Sequence, residues 1–319
     1  MKTIKTWIQL RSVQEFYRSF EKGMNMKSES EALDVIMCTW NSCKPWFRKC
    51  LLSIKREVNV HCFLVIDRYS SDDTASVIRS VFPEAKIIYT NANLAVARKV
   101  GIKQVDTRYF AFIDDDVELC GGWFKKLFAL ITNRERIGAV QGFTRYFVDY
   151  LDKIQISELR FRKGNYREVT GRGLTHNTII LSRLVKDFKP PPIIHSWEDF
   201  LLTQHIIEKD YKWIEAYDVQ IIHYMNAPCS LKENFFSGLV KEYNRAKWTG
   251  SGARLVRART LPSIIFSFFA TIYYGLLAMI FMLDPRTLIV NIVTALGLLM
   301  GFLSLRDITS IKLRQISLE

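Results

Sequence analysis

The chain has 319 residues, of which 49% are hydrophobic and 24% are charged, and this composition is that of a globular protein. The length fits one large domain with an appendage, or two small domains. The formal net charge of +13 fits an anionic partner, which could be nucleic acid, a nucleotide or an anionic membrane surface. Charge alone does not choose among these three.

The cysteines and the N-terminus exclude further classes. The six cysteines, at positions 38, 43, 50, 62, 120 and 229, form no C-x-x-C pair, and the histidines are not spaced to complete a zinc site. We therefore expect reduced thiols in a cytoplasmic domain and no disulfide framework. The first 25 residues carry charges throughout and no apolar core, so they do not predict a signal peptide.

Residues 1–32 predict a helix and a linker. Residues 4–20 place apolar and aromatic side chains at helical spacing, with lysine and arginine between them. The pattern fits a helix that lies on a membrane surface, and it fits equally a helix packed on the next domain. Residues 21–31 are polar and predict a linker.

Apolar strands and helices alternate from residue 33, which predicts an α/β domain over residues 33–250 with a mostly parallel sheet. Ligands of such sheets bind beyond the carboxyl ends of the strands, so we expect the chemistry there. The expected strands are Leu33–Cys38, Val60–Ile66, Lys86–Tyr89 and Tyr109–Ile113, with others near 138–147 and 213–223. The expected helices are one that ends near Glu57, then Ser71–Val81, Leu94–Gln104, 123–132, 198–209 and 231–248.

Residues 251–319 are far more apolar than the rest. Leu261–Leu283 and Thr287–Leu305 contain no charged residue, and at about 1.5 Å per residue each would span the ~30 Å core of a bilayer. The short connection between them predicts a transmembrane hairpin. The alternative is a pair of buried core helices. By the positive-inside rule both ends face the cytoplasm, because basic residues flank the hairpin: Arg254, Arg257 and Arg259 before it, and Arg306, Lys312 and Arg314 after it.

The strongest local signal is three consecutive carboxylates, Asp114, Asp115 and Asp116, directly after the strand Tyr109–Ile113. Such charges repel one another unless a cation lies among them, and oxygen ligands suit Mg²⁺ or Mn²⁺. An acidic triplet alone is more often a solvated loop. Its position at the carboxyl edge of the sheet favours a metal site.

Two other carboxylate positions have both a functional and a structural interpretation. Asp67 follows the strand Val60–Ile66, where it could accept a hydrogen bond from the N–H edge of uracil or guanine. A helix cap explains Ser70–Asp73 but not Asp67, which lies too far upstream. Glu198 and Asp199 open a predicted helix, where the helix dipole favours negative charge, and they also fit a general base for a sugar hydroxyl.

Residues 33–250 resemble the inverting glycosyltransferases of family 2, whose fold is often called GT-A. The resemblance rests on the order of the segments LDVIMCTWNS, VIDRYSSDDT, NANLAVARKVGI, FIDDDVEL, GRGLTHNTIILSR, SWEDFLL and IIHY. It implies a Rossmann-like mixed sheet flanked by helices, a nucleotide-sugar donor and a divalent cation, Mn²⁺ or Mg²⁺.

The resemblance also implies roles for single residues. Asp199 would be the general base, and Asp67 would bind the nucleobase. Asp114, Asp116 and His223 would hold the metal. Further residues would contact the donor: Thr39, Trp40, Asn41, Asn93, Arg98 and Asp115, together with Asp114 from the metal site. On the acceptor side the resemblance points to Gly171, Gly173, Trp197 and Glu198.

Some positions depart from the family pattern. Leu94 stands where glycine is common, Lys99 where asparagine is common, and Val117 where a fourth acidic residue is frequent.

A weaker likeness lies in Asn244–Trp248, which resembles a Gln-x-x-Arg-Trp segment of membrane-bound polysaccharide synthases. Asn244 and Lys247 replace its Gln and Arg. Arg245, Lys247 and Trp248 are therefore candidate contacts of a pyrophosphate, and the alternative is that the two cations meet anionic lipid.

The sequence thus predicts an inverting glycosyltransferase at the cell membrane, with two membrane helices and a cytoplasmic catalytic domain. It would move a sugar from a UDP- or GDP-sugar to a hydroxyl of a lipid-linked or glycan acceptor, with no role for nucleic acid. A polyprenyl- or dolichyl-phosphate sugar synthase is the first alternative, although an ionised phosphate needs no base such as Asp199. A processive polysaccharide synthase would need more membrane helices. A non-catalytic scaffold that binds nucleotide sugars would not need Asp114, Asp116 and Asp199 together.

Overall fold

The computed structural model describes residues 32–148, 153–155, 165–194, 196–225, 235–256, 260–282 and 285–303. The expected N-terminal helix and linker lie outside these residues, and so do Cys229 and most of the basic residues that flank the predicted hairpin.

Ten strands of the described residues form one mixed sheet, in the order β3-β2-β1-β4-β9-β6-β10-β5. Strands β7 and β8 lie off this path and pair with β6 and β10. The strands are β1 (Leu33–Thr39), β2 (Val60–Asp67), β3 (Lys86–Tyr89), β4 (Tyr109–Ile113), β5 (Val117–Leu119), β6 (Ile137–Val148), β7 (Lys153–Gln155), β8 (Tyr166–Glu168), β9 (Asn177–Leu181) and β10 (Lys212–Met225).

The first half of the sheet matches the expectation. Strands β3, β2, β1 and β4 are parallel, and their carboxyl ends lie at one edge. Strands β1 and β4 are buried along almost their whole length, because helices cover the sheet and apolar residues on both faces of a strand find partners.

The expectation of a mostly parallel sheet is wrong in the second half. Strand β9 pairs antiparallel with both β4 and β6, and β5 pairs antiparallel with β10. The strands expected from the sequence do not include β9. All five of its residues are buried, but the run begins with the polar Asn177 and Thr178, so only three apolar residues mark it in the sequence.

Eight helices accompany the sheet in the described part of the chain. In α1 the buried Phe47, Cys50, Leu51 and Ile54 follow helical spacing, so one face packs on the sheet. The helices are α1 (Phe47–Glu57), α2 (Thr74–Val81), α3 (Leu94–Lys103), α4 (Trp123–Thr132), α5 (Glu198–Ile207), α6 (Phe235–Leu255), α7 (Leu261–Met282) and α8 (Pro285–Leu303).

Helix α3 approaches β1 unusually closely because Gly101 faces Ile36. A Cβ at position 101 would lie 2.6 Å from Cγ2 of Ile36, which is far inside van der Waals contact. Asn93 starts the helix, since its Oδ1 accepts a hydrogen bond from Val96 N at 3.1 Å. Arg98 lies one turn before Gly101 and is therefore carried to the carboxyl edge of the sheet as a buried side chain.

The C-terminal helices pack on one another, and α8 touches both α6 and α7. Its Gly301 and Gly297 face the carbonyls of Lys247 and Tyr243 in α6, and a Cβ at position 301 would overlap the first of these. Helix α6 runs through residue 250, so the expected domain boundary falls inside a helix.

Among the described helices, α8 is long and apolar enough to cross a membrane, with a mean hydropathy of 1.8. In α7 the apolar stretch among the described residues, Leu261–Leu277, is shorter than a membrane span of this kind. The two helices of the expected hairpin exist and are in contact, but a two-helix membrane anchor remains a prediction.

Candidate active site

The acidic triplet lies where the sequence places it, at the carboxyl end of β4. It fills the turn into β5, and backbone hydrogen bonds hold that turn from two sides. Asp114 N donates to His176 O at 3.1 Å, and Asp116 O accepts from Tyr224 N at 2.8 Å. The triplet is thus fixed between the start of β9 and the end of β10.

Asp116 and His223 come together because β5 and β10 are paired, with Val117 opposite His223. Nε2 of His223 lies 3.1 Å from Oδ2 of Asp116. Burial alone would lower the pKa of His223, but the hydrogen bond to Asp116 and the charge of that carboxylate raise it above its ordinary value.

Each of these two side chains also has a buried polar atom with no hydrogen-bond partner in the described part of the protein, Asp116 Oδ1 and His223 Nδ1. A carboxylate oxygen and an imidazole nitrogen are both ligands of Mn²⁺, and a metal-bound histidine commonly hydrogen-bonds a carboxylate through its other nitrogen. These residues therefore fit a divalent cation.

The expected third ligand, Asp114, faces a different partner. Its carboxylate accepts hydrogen bonds from Nη2 of Arg98 at 3.1 and 3.3 Å. Within the described residues, no group of three or more His, Cys, Asp or Glu side chains forms a metal site. The three-residue ligand set therefore stays a prediction, of which the structure assembles Asp116 and His223.

Arg98 connects the triplet to the Glu198–Asp199 pair. Its Nη1 donates to Oε1 of Glu198, while its Nη2 binds Asp114. Burial would lower the pKa of this guanidinium, but the two carboxylates reverse the effect and raise it. Arg98 therefore stays charged and holds α5 against the end of β4.

Asp115 differs from its neighbours in the triplet. Burial and the negative charge of Asp116 raise its pKa to about 7, against a hydrogen bond from Ser42 that lowers it. At neutral pH this carboxyl group is therefore partly protonated, which relieves the repulsion within the triplet.

The expected base, Asp199, is buried and has a partner that the sequence did not reveal. Nε of Arg172 donates to Oδ1 of Asp199 at 2.8 Å and to Oδ2 at 2.7 Å. The only sequence signal for Arg172 is its place between Gly171 and Gly173. Gly173 is fixed, since its N donates to Thr203 Oγ1 at 2.9 Å and a Cβ there would overlap the ring of Trp213.

Gly171 faces open space: nothing described lies within 4 Å of a Cβ built there.

The side chain of Asp67 is enclosed, with 1% of its surface exposed. Its Oδ2 accepts hydrogen bonds from Thr39 Oγ1 at 2.7 Å and Ser70 Oγ at 2.6 Å, and its Oδ1 accepts from Ser70 N at 2.7 Å. Asp67 does not cap the following helix, as expected, but it has a structural role in the loop after β2. Asp67 can bind Ser70, three residues further along, because the chain turns back directly after β2.

The neighbouring donor-side residues divide into exposed and structural ones. Trp40 is 62% exposed, and the guanidinium of Arg68 lies 4.9 Å from its ring. Asn41 joins the two loops, since its Oδ1 accepts from Ser71 N at 2.8 Å. Asn93 caps α3, and its Nδ2 also donates to Pro192 O.

Sequence reasoning also missed His176, which lies directly before β9. Its ring centroid is 4.9 Å from that of His223, and its Nε2 is 2.7 Å from Thr144 Oγ1. Burial lowers the pKa of His176 to about 3, so this imidazole is neutral. It therefore packs against His223 without adding charge.

The candidate pyrophosphate contacts all lie on α6. Arg245 binds Glu242 through Nη2 at 2.6 Å, the carbonyl of Lys247 faces Gly301, and the side chain of Trp248 is half exposed. A role for these residues at a pyrophosphate stays a prediction.

Residues 34–184 match the sequence family described as Glycosyl transferase family 2. The chain is 30% identical over 111 residues to the SPbeta prophage-derived glycosyltransferase SunS of Bacillus subtilis, and equally to glycosyltransferase SunS of Bacillus phage SPbeta. That alignment covers 34% of this chain and 24% of SunS, so the chain spans about a quarter of the length of these relatives.

The fold is similar to that of a solved structure of GalNAc-T7 with UDP, GalNAc and Mn²⁺, with a TM-score of 0.51 at 12% sequence identity. The similarity covers 71% of this chain and 50% of GalNAc-T7. At this identity it shows the fold alone. The sequence match and the fold together identify a glycosyltransferase family 2 domain of the GT-A type in this chain.

Proposed function

We propose that the chain is an inverting glycosyltransferase that uses a divalent cation and moves a sugar from a UDP- or GDP-sugar to a hydroxyl group. The observation that carries this proposal is the double ion pair of Arg98 with Asp114 and Glu198. It brings the acidic triplet and the Glu198–Asp199 pair, which are far apart in sequence, into one site.

On the donor side, Asp116 and His223 would hold Mn²⁺ or Mg²⁺. The support is their unpaired buried atoms, together with the Mn²⁺ and UDP named for the similar structure of GalNAc-T7. A bound cation stabilises the charge of a departing diphosphate. The expected nucleoside contacts, Thr39 and Asp67, are hydrogen-bonded to each other, which fixes both side chains at the carboxyl ends of β1 and β2.

On the acceptor side, Asp199 would take the proton of the attacking hydroxyl. As that oxygen bonds to the anomeric carbon, the bond from this carbon to the diphosphate breaks and the diphosphate keeps the electron pair. Attack from the face opposite the leaving group inverts the configuration. Arg172 would hold the Asp199 carboxylate in place until the acceptor arrives, and positioning of this kind supplies much of the rate in such a reaction.

We place the acceptor, a lipid-linked sugar or a glycan, at the cell membrane, with the catalytic domain in the cytoplasm. Helix α8 has the length and hydropathy of a membrane span. On α7 the side chains of Phe266, Phe269, Tyr273 and Tyr274 are largely exposed in the isolated chain. An apolar surface of this extent fits lipid better than water.

A phosphate acceptor, as in polyprenyl-phosphate sugar synthases, is the second candidate. The observation that favours it is Arg172, whose side chain is 44% exposed and which neutralises Asp199. A cation in this position suits an anionic acceptor, and an ionised phosphate attacks without a base.

The experiment starts with a panel of UDP- and GDP-sugars, added to the purified full chain with Mn²⁺. We expect one donor to raise the melting temperature, because a ligand that binds only the folded state stabilises it by mass action. The same donor should release its nucleoside diphosphate, and EDTA should stop the release. Release that continues unchanged in EDTA contradicts the metal, and no binding by any donor contradicts the proposed function as a whole.

A further inference from the structure

We propose that Trp197 is a positioning residue that couples helix α6 to the carboxylate of Asp199. The proposal rests on the proposed function, because it assigns a role to the support of the proposed base. Three consecutive contacts carry it: α6 to Trp197, Trp197 to Arg172, and Arg172 to Asp199.

The first contact ties the loop before α5 to α6. The indole Nε1 of Trp197 donates to the carbonyl of Thr249 at 2.9 Å, and Ser196 Oγ donates to the carbonyl of Trp248 at 3.3 Å. Gly252 lets the two segments approach, since a Cβ there would lie 3.0 Å from both Ser196 and Trp197. Both acceptors are helix carbonyls, so the contact depends on where α6 lies.

The backbone of Trp197 is strained. Its φ of +73° lies in the left-handed region, which a bulky residue adopts only when its surroundings impose it. Trp197 directly precedes α5, which begins with Glu198 and Asp199, so this conformation sets the direction in which the helix starts. The indole bond to Thr249 is one of the contacts that hold the strained residue in place.

The second and third contacts lead from the ring to the base. The guanidinium carbon of Arg172 lies 5.0 Å from the Trp197 ring, a cation–π distance, and Nε of the same side chain holds both oxygens of Asp199. Trp197 therefore fixes Asp199 twice, through the backbone that starts α5 and through the arginine that lies on its ring.

Helix α6 is in turn held by α8. Gly250 of α6 faces the backbone of Leu298, and Gly301 of α8 faces the backbone of Lys247, without room for a Cβ at either position. Nη1 of Arg254 donates to the carbonyl of Phe302 at 2.9 Å. A shift of α8 would therefore move the carbonyls that Trp197 binds, while Asp116 and His223 lie on other elements.

The first test separates positioning from stability with conservative variants in the full chain. Trp197→Phe keeps a ring for Arg172 but loses the indole N–H, and Trp197→Leu loses both. Trp123→Phe is the matched control, because it removes another buried indole N–H, which points to Asn177 at 3.4 Å inside the core. The assay is nucleoside diphosphate release from the donor that the panel selects, measured as kcat and KM.

We expect kcat to fall about tenfold in Trp197→Phe and about a hundredfold in Trp197→Leu, with the donor KM within about twofold of wild type, since small misplacements near a reacting group cost rates of this order. The control should keep its kcat. Wild-type kcat in both Trp197 variants, or a loss of kcat matched by an equal rise in KM, overturns the proposal.

The second test does not depend on turnover, so it still decides if no donor is found and the proposed function fails. Hydrogen exchange is measured in peptides that cover α5 and β4. The proteins compared are wild type, Gly301→Leu and a control, Met300→Phe, which adds a larger side chain at an exposed position of α8. We expect faster exchange in α5 alone, and only in Gly301→Leu. Unchanged exchange in α5, or an equal increase in β4, overturns the coupling.

Discussion

Replacing Asp199 with asparagine decides between a hydroxyl and a phosphate acceptor. The substitution is isosteric, and the remaining Oδ1 can still accept the hydrogen bond from Phe200 N, which is 2.8 Å long in the structure. It removes one negative charge beside Arg172. That arginine is 44% exposed, so solvent screens the pair and its loss should cost only about 0–1 kcal/mol of folding stability.

The expected effect on catalysis is much larger. A positioned general base contributes about 10²–10⁴-fold to proton transfer, so Asp199→Asn should raise the barrier by about 3–5 kcal/mol if the acceptor is a hydroxyl. Donor affinity should stay within about twofold, because Asp116, in the turn before β5, pairs with His223 of β10, while Asp199 pairs with Arg172. An attacking phosphate is already an anion and would keep most of its rate.

The assay measures transfer rate, donor affinity and melting temperature on one Asp199→Asn preparation. Asp187→Asn is the matched control, since Asp187 also pairs with a cation, Lys209, but lies outside the site. A transfer rate close to wild type would refute the general base and leave the phosphate acceptor. A loss of donor affinity equal to the loss of rate would instead show that Asp199 supports the fold of the donor site.

Three further predictions concern the metal, the folding of the domain and its C-terminal helices. Asp116→Ala should abolish Mn²⁺-dependent donor stabilisation in a thermal-shift assay while the apo protein melts within a few degrees of wild type; a preserved Mn²⁺ effect would contradict the ligand assignment. Burial alone would raise the pKa of Asp34. Hydrogen bonds from His61 and from the N–H groups of Asp106 and Thr107 outweigh this effect and bring the pKa below its ordinary value of 3.8. This carboxylate therefore contributes stability above about pH 4 that is lost as the pH falls further, and urea titrations of Asp34→Asn should show a weaker fall in the free energy of unfolding between pH 5 and pH 3 than wild type. Removing residues 261–319 should leave the donor-binding sheet folded but speed hydrogen exchange in α5, and a truncated protein with unchanged α5 exchange would argue that α8 does not support α6.

The elements that the sequence predicted well are those whose signal is local. Strands β1 to β4 and helices α2 to α4 end at or close to the predicted residues, because each is an apolar or periodic run bounded by turn residues. Strand β9 was missed since its position between β4 and β6 depends on pairing partners far away in the chain. Its sequence also begins with the polar Asn177 and Thr178, so only three consecutive apolar residues mark it.

The same division holds for the candidate site. The acidic triplet and Asp199 stand out because their spacing and order are visible in one dimension. Arg172 and His176 do not, since their roles follow from contacts across the sheet, with Asp199 and with His223. Likewise, the hydrogen bond between Thr39 and Asp67 arises from the register of β1 and β2, which no local pattern specifies.

The glycine contacts between α6 and α8 also bear on how the protein matures during synthesis. The chain leaves the ribosome with its N-terminus first, and domains fold roughly in the order in which they emerge. Helix α8 comes last of the described elements, so its Gly301 and Gly297 meet α6 only after the residues of the sheet have been made. At about 5–20 residues per second, the sheet that carries the donor side would be complete several seconds before the support of Asp199. In a newly made chain the acidic triplet would therefore be in place before α6 and α8 pack on each other, so the contact of α6 with Trp197 would be the last of these features to form.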